Sequence, residues 1–146
     1  MRYKLLSPYL YELQEPQLVK FRNTRLVEKL TSVDVRHPFF EINREGVTAQ
    51  ARYAWDGATG VLLQTEDLMV PSLVHDIGCQ AVNLRLLPFS CRALFDDEYR
   101  LQCKAYGVPK WRRDLHWGVI RLWGTIRKHE PAPARYAQVY DFKVLE

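Results

Sequence analysis

Residues 90–109 read SCRALFDDEYRLQCKAYGVP, and this stretch decides the fold. Ser90 is a residue type suited to capping a helix N-terminus. Leu94 and Phe95 lead an apolar stripe, and Gly107 is the residue type that ends helices in a left-handed turn. A helix is therefore predicted over about 91–106. Proline opens helices well, because its missing N–H is no loss there. A second helix is thus predicted upstream, from Pro71 to about Asn83, and a third downstream, from Pro109 to about Lys128, ahead of Pro131 and Pro133. In the third, Trp111, Leu115, Val119 and Leu122 repeat at helical spacing and are expected to face the core.

Outside this helical block the texture is that of strands. Arg2–Leu6 and Tyr9–Leu13 are short apolar-aromatic runs separated by Ser7-Pro8, a turn signal. Phe39–Asn43 and Val47–Trp55 flank Arg44-Glu45-Gly46, which reads as a hairpin, with Gly46 able to take a positive φ. In the second arm Val47, Ala49, Ala51 and Tyr53 share one face, the alternation of a half-buried strand. Residues 17–37 are readable as strand or as short helix. Arg135–Leu145, aromatic and β-branched after a Pro-Ala-Pro-Ala link, is predicted as a last strand. The predicted class is α+β: N-terminal antiparallel strands, three packed helices (about 71–83, 91–106 and 109–128) and a C-terminal strand.

Composition agrees with one domain over residues 1–146. The 146 residues are 47% hydrophobic, 12% aromatic and 26% charged, which excludes a disordered, collagenous or coiled-coil chain. No apolar run has the length of a membrane span. No secretory signal is expected, since Ser7, Pro8 and Glu12 break the N-terminal apolar stretch. The net charge of +4 is concentrated late: residues 100–130 hold eight Lys/Arg against two Asp/Glu. A solvated helix face accounts for that excess. Trp111, Trp117 and Trp123 with Arg112, Arg113 and Arg121 beside them are residue types that stack and bind phosphate, but their helical setting argues against nucleic acid as a partner. Cys79, Cys91 and Cys103 form no CxxC pair, so neither a zinc site nor a disulfide framework is predicted, and buried or partly buried free thiols are expected. A cysteine nucleophile would need a nearby base.

One constellation suggests chemistry: His75-Asp76 in the first of the three helices and Asp96-Asp97 in the second. Adjacent helical residues point about 100° apart, so Asp76 does not orient His75. An antiparallel partner helix would bring Asp96 or Asp97 to a ring nitrogen of His75, fixing its tautomer for a general base. Asp76 is then free to bind a cation, and with Asp56 it offers oxygen ligands of the kind that hold Ca²⁺ or Mg²⁺. The competing reading makes the same residues a structural hydrogen bond. His37, His116 and His129 are assigned to a loop, to packing or surface, and to a helix end.

The motifs Asp56-Gly57-Ala58, His75-Asp76, Phe95-Asp96-Asp97, Ala105-Tyr106-Gly107-Val108-Pro109-x-Trp111-Arg112 and Val119-Ile120-Arg121-Leu122-Trp123-Gly124 together resemble a phage and prophage family, the domain-of-unknown-function family 1353. The resemblance covers about residues 53–124. The family usually reads TDGAS-[IV]-P, then HDxLY, an AD-containing helix, a "GV" turn and a helix ending in R-x-[FW]-G. Here Thr59-Gly60 replaces Ser and an aliphatic residue, the Pro is missing, and Ile77-Gly78-Cys79 replaces the continuation ending in Tyr. The resemblance implies a phage product in the host bacterial cytoplasm or the virion, with a phage structural protein or a host protein as partner. It implies no activity. A glycine-bearing loop, a helical His-Asp and a later helical Asp are also similar in order to secreted A-two-type phospholipases. That analogy implies His75 as base, Asp76 as calcium ligand and Asp96 or Asp97 as orienter, without that family's disulfides and calcium loop. The function expected is a small hydrolase-like domain with a His-Asp centre, cation-assisted, acting on an ester or amide. The alternatives are a non-enzymatic virion or assembly component and an inhibitor that binds a host protein.

Overall fold

The computed structural model describes residues 1–7, 10–57 and 65–126. The class is α+β, as the sequence predicts. A first antiparallel sheet has the order β1 (Tyr3–Ser7), β2 (Leu10–Leu13), β7 (Ala54–Trp55). A second has the order β3 (Gln17–Lys20), β6 (Gly46–Ala49), β5 (Phe40–Asn43), β4 (Val35–His37). The helices are α1 (Thr24–Lys29), α2 (Met69–Asn83), α3 (Cys91–Ala105) and α4 (Lys110–Ile126). The ambiguous stretch 17–37 is thus strand, helix and strand. Among the described residues no helix is long and apolar enough to cross a membrane. The predicted C-terminal strand and residues 127–128 of the third predicted helix lie outside the described residues.

The predicted hairpin forms, but Gly46 is not at positive φ. The turn is made by Arg44 and Glu45, with the Glu45 N–H donated to Asn43 Oδ1 at 2.8 Å. Glycine is needed at 46 for space instead: a Cβ there would lie 2.1 Å from the Val19 carbonyl oxygen of the neighbouring strand. The second arm is also shorter than predicted. It ends at Ala49, turns through Arg52 at φ 72°, and delivers Ala54 and Trp55 to the first sheet, where Trp55 pairs with Tyr11. Alternation records which side of a strand is buried, and it carries on unchanged when the chain passes to another sheet.

The core lies between the second sheet and α2. Phe40, Ile42 and Val47 from the sheet meet Leu73, Val74 and Ile77 from the helix, all fully buried. Pro71 sits in the first turn of α2, as its chemistry predicts. The predicted Ser90 cap is not formed. Ser90 is itself helical, at φ −59° and ψ −20°, and its side chain caps nothing. The predicted stop at Gly107 does form: φ is +80°, and the Gly107 and Val108 N–H groups are donated to the Lys104 and Cys103 carbonyls.

Helices α2 and α3 approach closely at Gly78, where a Cβ would lie 2.2 Å from the Phe95 ring. Gly78→Ala is therefore expected to destabilise by about 2–3 kcal/mol through overpacking. An unobstructed helical Gly→Ala change would stabilise by about 1 kcal/mol. The sign of the shift in a urea melt decides the point.

The predicted core stripe of α4 faces outward. Trp111, Leu115 and Leu122 are 71%, 54% and 64% exposed, and Val119 is partly exposed. The helix instead buries His116 and Gly124 against α3, with Ile120 on a small cluster of Leu68, Tyr99, Cys103 and Val108. Specific polar pairs account for the inversion. Asp97 accepts hydrogen bonds from Trp117 Nε1 at 2.9 Å and Arg121 at 2.6 Å, Asp114 pairs with Arg100 at 2.6 Å, and Tyr99 Oη bonds to His116 Nδ1 at 2.9 Å. Lengthwise periodicity finds an apolar face, but cannot tell which side of the helix meets the neighbour.

Candidate functional site: a thiol, an imidazole and a carboxylate

The α2–α3 packing brings His75 and Asp96 together. His75 Nε2 lies 2.7 Å from Asp96 Oδ1, and both residues are buried, at 7% and 1% exposed. Asp97 does not join them, since its carboxylate is turned to Trp117 and Arg121 on α4. Adjacent residues on α3 thus divide the two roles that the sequence left open between them. Asp96 also faces Arg92 Nε at 3.5 Å and Arg121 Nε at 3.6 Å.

A carboxylate only accepts hydrogen bonds, so Nε2 carries the proton toward Asp96. In the neutral ring Nδ1 is then the base. Cys79, one helical turn after His75, lies beside that ring, with Sγ 3.7 Å from Nδ1 and 3.5 Å from Nε2. Its side chain is partly exposed, whereas Cys91 and Cys103 are buried. The sequence reading did not pair Cys79 with His75. The signal was present as an i, i+4 spacing, which puts two side chains on one helix face.

Burial works against charging His75. The neighbouring Cys79 sulfur, the nearby Asp76 carboxylate and the hydrogen bond to Asp96 outweigh it, and hold the imidazole well above the ordinary histidine range. Burial pushes the other two thiols up, Cys103 to about 12. Asp76 stands at the edge of the site, 25% exposed, with Oδ1 3.9 Å from His75 Nδ1. A groove of about 240 Å³ opens between the start of α3 and the end of α4, lined in part by Arg92, Asp96, Arg121 and Gly124. Neither His75 nor Cys79 lines it.

Among the described residues no three His, Cys, Asp or Glu side chains gather as metal ligands. The Ca²⁺ or Mg²⁺ ligands expected at Asp56 and Asp76 belong to no such group. Of the remaining histidines, His37 ends β4 and stacks on Phe40 at 4.5 Å, His116 is buried against Tyr99, and His129 lies outside the described residues.

The order of parts (an N-terminal pair of small antiparallel sheets, then three helices with a Cys-His-Asp cluster on the first two) defines a compact α+β protein with a thiol–imidazole centre. No protein family matches the chain, and neither a curated protein nor a solved structure is similar to it.

Proposed function

We propose that the chain is a small thiol hydrolase in which Cys79 is the nucleophile, His75 the base and Asp96 the residue that orients His75. The observation that carries this reading is one imidazole flanked by a carboxylate at 2.7 Å and a partly exposed thiol at 3.5–3.7 Å. The substrate class is an ester or amide. Nδ1 accepts the Cys79 proton as the reaction begins, while the Nε2–H stays held by Asp96. The thiolate attacks the acyl carbon and a C–S bond forms. The C–O or C–N bond to the leaving group breaks, and that group takes the Nδ1 proton. Water then adds to the thioester and gives its proton to Nδ1; the C–S bond breaks and the acid departs. The biological setting proposed is the one implied by the motif resemblance, a phage or prophage product acting in the host cytoplasm or the virion.

Alkylation by iodoacetamide, followed by mass spectrometry, tests the centre without a substrate. Cys79 is expected to label before Cys91 and Cys103, and at pH 6.5 about tenfold or more faster than an unactivated thiol. His75→Ala should remove that advantage, with circular dichroism reporting the fold. An ordinary thiol profile for Cys79, the same with and without His75, would sink the proposal.

A second reading is a non-enzymatic assembly component. The exposed apolar residues of α4 favour it, and it takes the lead if Cys79 proves unreactive.

A further inference from the structure

The outward side of α4 carries Trp111, Leu115, Gly118, Leu122 and Ile126 at steps of four, three, four and four residues. These positions lie on one narrow side of the helix, opposite the buried side made by His116, Ile120 and Gly124. Trp111, Leu115, Leu122 and Ile126 are 71%, 54%, 64% and 62% exposed. Gly118 has open space around it, with nothing within 4 Å of where a Cβ would stand.

The stripe has a symmetry of its own. Reversed end to end about the middle of the helix, Trp111 falls opposite Ile126 and Leu115 opposite Leu122. Gly118 sits at the centre, where the absence of a side chain lets a second backbone come close. A surface complementary to its own reverse is what a two-fold contact requires. We infer that α4 is a self-association surface on which a second copy of this chain packs its own α4 antiparallel, crossing at Gly118.

The area suits a reversible dimer. The four exposed side chains offer on the order of 450 Å² per copy, roughly 900 Å² for the pair. That falls in the class of weak, concentration-dependent contacts. The charges of α4 stand off the stripe and are engaged elsewhere: Lys110 pairs with Asp114 at 2.6 Å, Arg112 faces Asp67 at 3.6 Å, Arg113 donates to the Val108 carbonyl at 3.2 Å and Arg121 pairs with Asp97 at 2.6 Å. The stripe itself is therefore apolar along its length, and an antiparallel pair opposes the two helix dipoles.

Sedimentation velocity on the full chain from about 1 to 200 µM tests this. The expected mass rises from the 17.2 kDa monomer toward twice that value, with a midpoint in the micromolar range. Leu122→Glu should hold the chain monomeric throughout, with its circular dichroism unchanged, because residue 122 is exposed. Direction is read by disulfide trapping in a Cys79→Ser background. An equal mixture of Leu115→Cys and Leu122→Cys chains should form a mixed disulfide, and neither chain alone should cross-link as well. A monomer at every concentration overturns the proposal, and would assign the stripe to another occupant, such as the chain's own residues 127–146. A dimer that survives Leu122→Glu, or better cross-linking of Leu115→Cys with itself, overturns it too.

Discussion

Glu98→Ala is expected to lower the folding free energy by about 3–5 kcal/mol, because several buried donors lose their acceptor together. Glu98 has no exposed surface. Its carboxylate accepts the Arg22 N–H at 3.0 and 3.1 Å, the Asn23 N–H at 2.7 Å and the Gln102 amide at 2.6 Å. Asn23 in turn caps α1 by accepting the Arg25 N–H, and donates its amide to the Leu94 carbonyl of α3. Glu98 therefore ties the turn between β3 and α1 to the middle of α3. Alanine would leave the buried Asn23 N–H and the partly buried Arg22 N–H without their acceptor. Burial raises the Glu98 carboxyl above the usual range, partly offset by the Gln102, Asn23 and Arg22 donors. A raised carboxyl holds its proton more readily folded than unfolded, so Glu98 does not drive acid unfolding. The midpoint of thermal unfolding should fall by on the order of 10 °C. A loss under about 1 kcal/mol in a denaturant melt would mean that the turn finds other acceptors.

Asp96→Ala is the second large effect, at about 3–5 kcal/mol, and it also reaches the chemistry. Two positions before Glu98 on the same helix, Asp96 serves side chains rather than backbone: His75, Arg92 and Arg121. Removing it leaves those cations against a largely buried site with nothing to balance them. Asp96→Asn keeps the shape and an acceptor for Nε2–H, and should cost only about 1–2 kcal/mol. In that milder variant Cys79 alkylation near pH 6.5 should slow severalfold while the fold persists. The pH dependence has a definite sign. His75 is raised well above the ordinary range in the folded state, so its contribution to stability is fully present below the unfolded value, near 6.5, and is lost as the pH rises through the folded value. The Asn variant should lose part of that dependence, since the Cys79 sulfur and Asp76 still raise the imidazole. Equal stability–pH curves for the two proteins would refute the charged pair.

The outcomes for particular residues separate local from tertiary causes. Gly107 ends α3 at positive φ, as predicted, because a helix stop is written within a few residues. Gly46 is required, but for the approach of the Val19 carbonyl rather than for its own φ, and that neighbour is 27 positions away. Ser90 has the right chemistry for a cap but a helical backbone, so its hydroxyl is not used. Trp111, Leu115 and Leu122 form a real stripe, yet lie outside.

The amino-acid sequence by itself determined the α+β class, the three main helices within two residues at the ends described, and the hairpin at residues 40–49. Each depends on periodicity, proline placement or a turn, interactions that span a few residues. It also placed His75 and two carboxylates where adjacent helices would bring them together. Only the tertiary structure decided that Asp96 and not Asp97 reaches His75, that Cys79 completes the group, and which side of α4 is buried. Those choices turn on the rotation of one helix against another, and that rotation is fixed by packing such as Phe95 on Gly78 and by ion pairs such as Arg121 with Asp97.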